Sequence, residues 1–406
     1  MKKGLLALAA GAFAMGFAEF VMMGILPTVA AGIGVSVPAA GSFISSYAIG
    51  VCVGTLFLVF GHTVAPKRLL LFFMLLCCAG NALAAVSPNA LTLTVARFVS
   101  GMPHGAFFGT ATIVAHALAE KGKEGQAVAI MVLGQTLANT IGVPGGTLLA
   151  SLVSWRAAFA FVAVWALVSL LLIARLVPQV AAPENVGLAG QFRFLKKPGP
   201  WLVLAAVLLG NTGIFCWWSY VSPWLTSVGG FAEAAVPALL VLAGAGMIVG
   251  SQLGGRAGDA LTPGRAAALG QSITCVTLVL IFAFSGTPLT AAALMFLCCV
   301  GLFFVSSPQQ ILMVECGHGG GEMIGSACVQ VAFNGGNAIG ASIGQAVLDA
   351  GMPYQWPALA GAPIAGAAVA LLLLFSWRFE RLYHGAGAAD AAAPSSEPLP
   401  AAPSEQ

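Results

Sequence analysis

Charge is what this sequence has least of. Only 7% of its 406 residues are Asp, Glu, Lys or Arg, against about a quarter in soluble domains. So few charges cannot keep a water-facing surface in solution, so lipid must surround most of the chain. Apolar/polar alternation, the mark of membrane barrel strands, is missing too. The apolar runs are uniform and about 20 residues long, which suits membrane helices. Catalytic chemistry is equally thin. There is no nucleophile–base pair, metal cluster or phosphate-cradling loop. "CGHGGGE" at 316–322 has glycines and a histidine but no lysine of a phosphate loop, and reads as a turn. The nine cysteines lie mostly inside apolar runs, including the pairs Cys77-Cys78 and Cys298-Cys299. None has a histidine at ligand spacing, so they behave as small apolar residues without a disulfide framework. No enzymatic activity, metal or cofactor is expected.

What is present is a series of apolar runs. Twelve spans are read at roughly 5–27, 39–60, 69–87, 90–115, 127–149, 157–177, 201–225, 236–255, 266–285, 290–312, 322–347 and 357–377. Lys2 and Lys3 precede the first as in a signal peptide, but the run exceeds the usual signal core and reads as a retained span. An even number puts both termini on one side. With the termini inside, Lys2, Lys3, Lys67, Arg68, Lys121, Lys123, Arg175, Arg193, Lys196, Lys197, Arg256, Arg265, Arg378 and Arg381 are inner, Arg156 is outer and Arg97 lies in the membrane. Inner loops are expected to be basic, so the termini are cytoplasmic. The net charge of +3 reflects that topology and does not indicate nucleic acid. The Pro/Gly/basic stretch 178–200 reads as a cytoplasmic linker between a six-helix bundle at 1–177 and another at 201–384. The Ala/Pro/Ser-rich segment 385–406 reads as a disordered tail.

The two bundles echo each other. Gly134, Ala138, Gly142 and Gly146 recur every four residues in the fifth span, and Ala332, Gly336, Gly340 and Gly344 do so in the eleventh. Four-residue spacing puts small side chains on one helix face, where backbones can approach closely. Spans two and eight add Gly50/Gly54 and Gly246/Gly250/Gly254. Related halves with a long central loop are the pattern of a secondary transporter, with its site near the midplane.

Two charges stand out. Glu19 is roughly 21 Å along the first span and Arg97 roughly 10 Å below the outer surface, which places them at similar depth in a core about 30 Å thick. Facing each other, or a wet cavity, is the least costly arrangement. Burial disfavours the carboxylate and a guanidinium favours it, so such a site could exchange a proton as the cavity opens to each side. A static ion pair pinning spans one and four is the other reading. Arg97, Gly101, His104 and Phe108 share one face of span four. His104 is either a proton relay or a hydrogen-bonded packing residue. Met15, Glu19 and Met23 form the matching stripe on span one. The second half offers uncharged candidates for a ligand: Asn211, Phe215, Trp218 and Tyr220 in span seven, Gln309 in the broken stretch "FVSSPQQIL", and Asn334 and Asn337 in span eleven. Amides bond hydroxyls and aromatic rings stack on flat faces. Each of these amides would serve equally as interhelical glue.

"RFVSGMPHGAFFG" (97–109) and "GQTLANTIGVPGG" (134–146) resemble the fourth- and fifth-span motifs of the drug:proton antiporter branch of the major facilitator superfamily. Val143 separates Gly142 from Pro144, which that motif usually has adjacent. The family's inner-loop motif is matched by Gly255, Asp259 and Arg265; its first copy keeps Gly61 but has Ala65 at the aspartate position. "AEFVMMGILPTVA", "SGMPHGAFFG", "SWRAAF" and "VQVAFNGGNAIGA" are similar to the AraJ-type arabinose efflux permease group. The resemblance implies twelve helices in two pseudo-symmetric six-helix bundles, alternating access, and proton-driven efflux of sugar-like or drug-like molecules from the bacterial inner membrane. It implies protons and a small-molecule substrate as partners of a monomer in the bilayer. An uncoupled facilitator or importer, or a non-transporting receptor or structural protein of the same fold, stays open at this point.

Overall fold

The computed structural model describes residues 2–57, 64–120, 124–180, 192–317 and 322–382. Gly61, residues 181–191 of the central linker and residues 383–406 lie outside them. The first half contains α1 (Lys2–Ile33), α2 (Val37–Ala40), α3 (Ser42–Gly54), α4 (Pro66–Ala85), α5 (Ala90–Gly101), α6 (Pro103–Leu118), α7 (Glu124–Leu137), a π turn (Ala138–Gly142), α8 (Val143–Leu152) and α9 (Trp155–Leu176). The second half contains α10 (Pro198–Trp218), α11 (Val221–Ser227), α12 (Val236–Ala260), α13 (Pro263–Phe284), α14 (Pro288–Phe304), α15 (Ser306–Cys316), α16 (Glu322–Asp349) and α17 (Trp356–Arg378). Every regular element among the described residues is helical. Nine stretches of them are long and apolar enough to cross a membrane. The stretches 90–118, 124–152 and 322–349 are not among the nine.

Several expected spans differ in detail. The first does not stop at Pro27 but runs to Ile33. A proline is tolerated inside a membrane helix because neighbouring groups satisfy the freed carbonyl. Spans four, seven and ten each break in two, at Met102, at Ser219–Tyr220 and at Val305. The fifth span widens instead of breaking. The Val143 N–H bonds the carbonyl of Ala138, five residues back, just before Pro144, which has no N–H to give. Caps close the ends: Asn89 accepts from the Thr92 N–H and Ser154 from that of Arg156, as polar residues at helix starts do.

The packing repeats. In the first half α1 packs on α7 and α9, α4 on α9 and on α5, and α3 on α5. Six spans later α10 packs on α16 and α17, α13 on α17 and on α14, and α12 on α14. The small-residue stripes make these contacts. A β-carbon at Gly134 would collide with the Ala9 carbonyl, and at Gly146 with Phe17; Ala138 and Gly142 adjoin Gly16 and Phe13. At Gly336, Gly340 and Gly344 it would meet the carbonyls of Leu208, Thr212 and Cys216 on α10. Gly50 and Gly54 sit likewise on Phe98 and Met102, and Gly250 and Gly254 on Val300 and Phe304. The stripe of span five therefore binds it to span one inside its own half. Thr140 and the Asn139 carbonyl of the same span meet Gly244 of α12.

Two charged side chains fasten equivalent helix pairs. Lys67 Nζ donates to the Ala174 carbonyl at the end of α9, 2.8 Å away. Glu380 accepts from the Gly264 N–H at the start of α13 and from the Ser376 hydroxyl. A cation at a helix C-terminus and an anion at an N-terminus both suit the backbone dipole.

Candidate functional site

The halves meet along α3 and α16, along the π turn, α8 and α12, and where α1 touches α11. Ser45 donates to the Ala338 carbonyl at 3.0 Å and lies 3.2 Å from the Ser342 hydroxyl. Cys52 reaches the Val331 carbonyl. Phe20 and Phe215 face each other with centroids 6.4 Å apart.

Glu19 is in the middle of this interface and only 4% exposed. Its Oε2 is 3.5 Å from His104 Nε2. Its Oε1 lies 3.5 Å from Asn337 Nδ2 of the other half, a long hydrogen bond. His104 Nδ1 is 2.9 Å from the Tyr47 hydroxyl, which also reaches the Met15 carbonyl at 3.4 Å. Phe108 packs against the imidazole, with centroids 5.2 Å apart.

The expected direct pairing of Glu19 with Arg97 is not made. Arg97 is fully buried at the right depth, but its Nη1 donates to the Ala18 carbonyl at 2.7 Å and its Nε to that of Phe43 at 3.4 Å. Its guanidinium covers the Tyr47 ring at 4.4 Å. Adjacent helical residues point about 100° apart, so a cation held on Ala18 is not thereby in reach of the next carboxylate. Among the described residues, Arg97 Nη2 has no hydrogen-bond partner.

The ligand candidates divide. Met23 and Trp218 line a void between the halves with Phe20, Asn139, Val143, Leu240, Ala243, Gly244 and Met247. Phe215 lies beside it, stacked edge-on with Phe333. Asn211 and Asn334 turn back to carbonyls of their own helices, Val207 and Gln330. Gln309 is buried in α15, and its Nε2 has no hydrogen-bond partner among the described residues. Tyr220 was read as facing the ligand, but it sits in the break before α11, and its hydroxyl reaches the carbonyls of Pro38 and Ala341 at 3.2 and 3.1 Å. It joins Pro38 of α2, in the first half, to Ala341 of α16, in the second. Pro144 is buried in the first turn of α8. Asp259 lies in α12, and its side chain is outside the described set.

Tyr47 and Asn139 are in the site although sequence reasoning passed them over. The available signal was a phenol and an amide at membrane depth, groups that need partners when buried.

Repeated sets of membrane helices with a buried polar cluster where they meet define a secondary transporter. Residues 8–327 match the Major Facilitator Superfamily, and the chain belongs to that family. It is therefore a transporter and not an enzyme. It is 42% identical over 382 residues to "Putative transporter AraJ" of Escherichia coli (strain K12), covering 94% of this chain and 96% of that one. It is 36% identical over 373 residues to "Inner membrane transport protein YdhP" of the same strain, covering 91% and 95%. It is 29% identical over 392 residues to "Chloramphenicol resistance protein" of Streptomyces lividans, covering 95% and 98%. The chain is a multi-pass protein of the bacterial inner membrane.

Proposed function

We propose that this chain exports small, uncharged amphipathic molecules in exchange for protons. It would do so by rocking two six-helix bundles, residues 1–177 and 201–384, about their interface, with twelve spans, both termini cytoplasmic and a monomer as the working unit. The recurrence of the same helix pairings in each half supports that division. The likeness to a chloramphenicol resistance protein supports a drug-like substrate.

The observation that carries proton exchange is the place of Glu19 between a titratable ring of its own half and an amide of the other. The ionised carboxylate accepts from His104 Nε2–H and Asn337 Nδ2–H, with the Tyr47 hydroxyl donating to Nδ1. When Glu19 gains a proton it donates to Nε2, the imidazole carries its hydrogen on Nδ1, and Tyr47 turns to the Met15 carbonyl. The bond from Asn337 loses its charge assistance, which roughly halves its strength. Protonation thus loosens the polar tie between α1 and α16, and the bundles separate more easily. Arg97 keeps a positive field beside the cluster and holds α1 and α3 together through their carbonyls.

Proteoliposomes with an imposed pH gradient test the reading, with chloramphenicol as probe. The parent protein moves it against the proton flow. Glu19→Gln is expected to lose the response to the gradient while still exchanging labelled for unlabelled probe. Gradient-driven transport by Glu19→Gln at the parent rate refutes the role of the acid.

A further inference from the structure

A buried amide and a buried indole line the same void with nothing to bond. Asn139 is 5% exposed, and among the described residues neither Oδ1 nor Nδ2 has a hydrogen-bond partner. Trp218 is 3% exposed and its Nε1–H likewise has no partner among the described residues. Buried polar groups are nearly always bonded, and leaving them otherwise is destabilising. Two such groups on one void indicate that something else bonds them for part of the cycle.

The backbone here is also unusual. Asn139 lies on the π turn, and such widened turns concentrate at functional sites. The other half comes as close to it as chains allow. A β-carbon at Gly244 would press on Thr140 Cα at 2.6 Å and on the Asn139 carbonyl at 3.1 Å.

We propose that Asn139 and Trp218 form the polar end of a ligand subsite shared by the two halves. Its ligand is an uncharged molecule with a ring or compact apolar body next to an acceptor oxygen and an N–H or O–H. The indole only donates, so it takes the acceptor; the amide both donates and accepts, so it takes the neighbouring group. Phe20, Met23, Leu240 and Met247 receive the apolar body. Among the described residues, none that lines the void is charged, which disfavours an ionic ligand. The void is about 10 Å³, room for roughly one water. The ligand therefore enters when α12 moves away from the π turn. This inference rests on the transport reading and sharpens its ligand class.

The test uses the full-length protein in detergent, with equilibrium dialysis of labelled chloramphenicol and a ligand-free melting curve. Chloramphenicol is neutral and carries a ring beside hydroxyls and an amide. Asn139→Leu and Trp218→Phe are each expected to weaken binding at least tenfold. The ligand-free Tm of Asn139→Leu stays level or rises, because an apolar side chain of similar size replaces an unbonded amide. Parent-like binding in both variants overturns the subsite and leaves proton-driven export standing. A fall of several degrees in the ligand-free Tm of Asn139→Leu also overturns it, since the amide is then a structural partner of a fixed water. If the parent protein binds no chloramphenicol, the ligand class assigned to the subsite is wrong. Gradient-driven efflux decides the transport reading separately.

Discussion

Removing one hydroxyl should loosen the crossing where Tyr220, just before α11, meets α2. Tyr220 has one hydroxyl hydrogen and two carbonyls in reach, Pro38 in the first half and Ala341 in the second. Tyr220→Phe deletes both contacts. The Pro38 carbonyl keeps the Gly41 N–H at 3.0 Å, so no bare acceptor is left there, and the cost falls at the low end for a hydrogen bond, about 0.5–1 kcal/mol. Only the bond to Pro38 crosses between halves, so the loss acts chiefly on the closed crossing. That is about a two- to fivefold shift toward its open form. Gly41→Ala should act more strongly, because its β-carbon would run into the Tyr220 hydroxyl. The two changes should be less than additive, since Phe at 220 removes the atom that is struck. Ser45→Cys, on α3 and bonded to Ala338 of the other half, reports the separation of the halves through its rate of alkylation by a membrane-impermeant maleimide, read at that peptide by mass spectrometry. An unchanged rate in Tyr220→Phe, or full additivity with Gly41→Ala, refutes the assignment of Tyr220 to this crossing.

Two further outcomes follow from helix contacts. Gly340→Val puts carbon against the Thr212 carbonyl and Phe215 and should cost about 1–3 kcal/mol by overpacking. Gly145→Ala, which meets nothing within 4 Å, should melt like the parent, and equal melting of both variants would refute the close approach of α10 and α16. Glu380→Gln keeps an acceptor for the Gly264 N–H but removes the charge at the start of α13. It should lower stability by about 0.3–1 kcal/mol, measured as a lower Tm at low salt; an unchanged Tm refutes the contribution of that charge.

Much of the fold could be read from local pattern. The apolar runs mark the helices, and the four-residue stripes mark the faces on which they pack, as the contacts of Gly336, Gly340 and Gly344 with α10 bear out. The breaks at Met102 and Ser219–Tyr220 were harder to see than that at Val305, which falls in the stretch "FVSSPQQIL" read as broken. A helix interruption inside a protein bundle keeps its apolar composition, because neighbouring groups and not water satisfy its backbone.

The chain's own order of residues determined that Glu19 and Arg97 would lie at similar depth, since helix rise converts residue number into distance along the membrane normal. It determined too that α16 would press on α10, since only small side chains permit it. Tertiary structure alone decided that His104 and Asn337 meet the carboxylate, that Arg97 caps carbonyls, and that Asn139 shares a void with Trp218. Rotation about a helix axis, and which helix stands opposite, are set by the packing of distant segments, and no local run of residues encodes them.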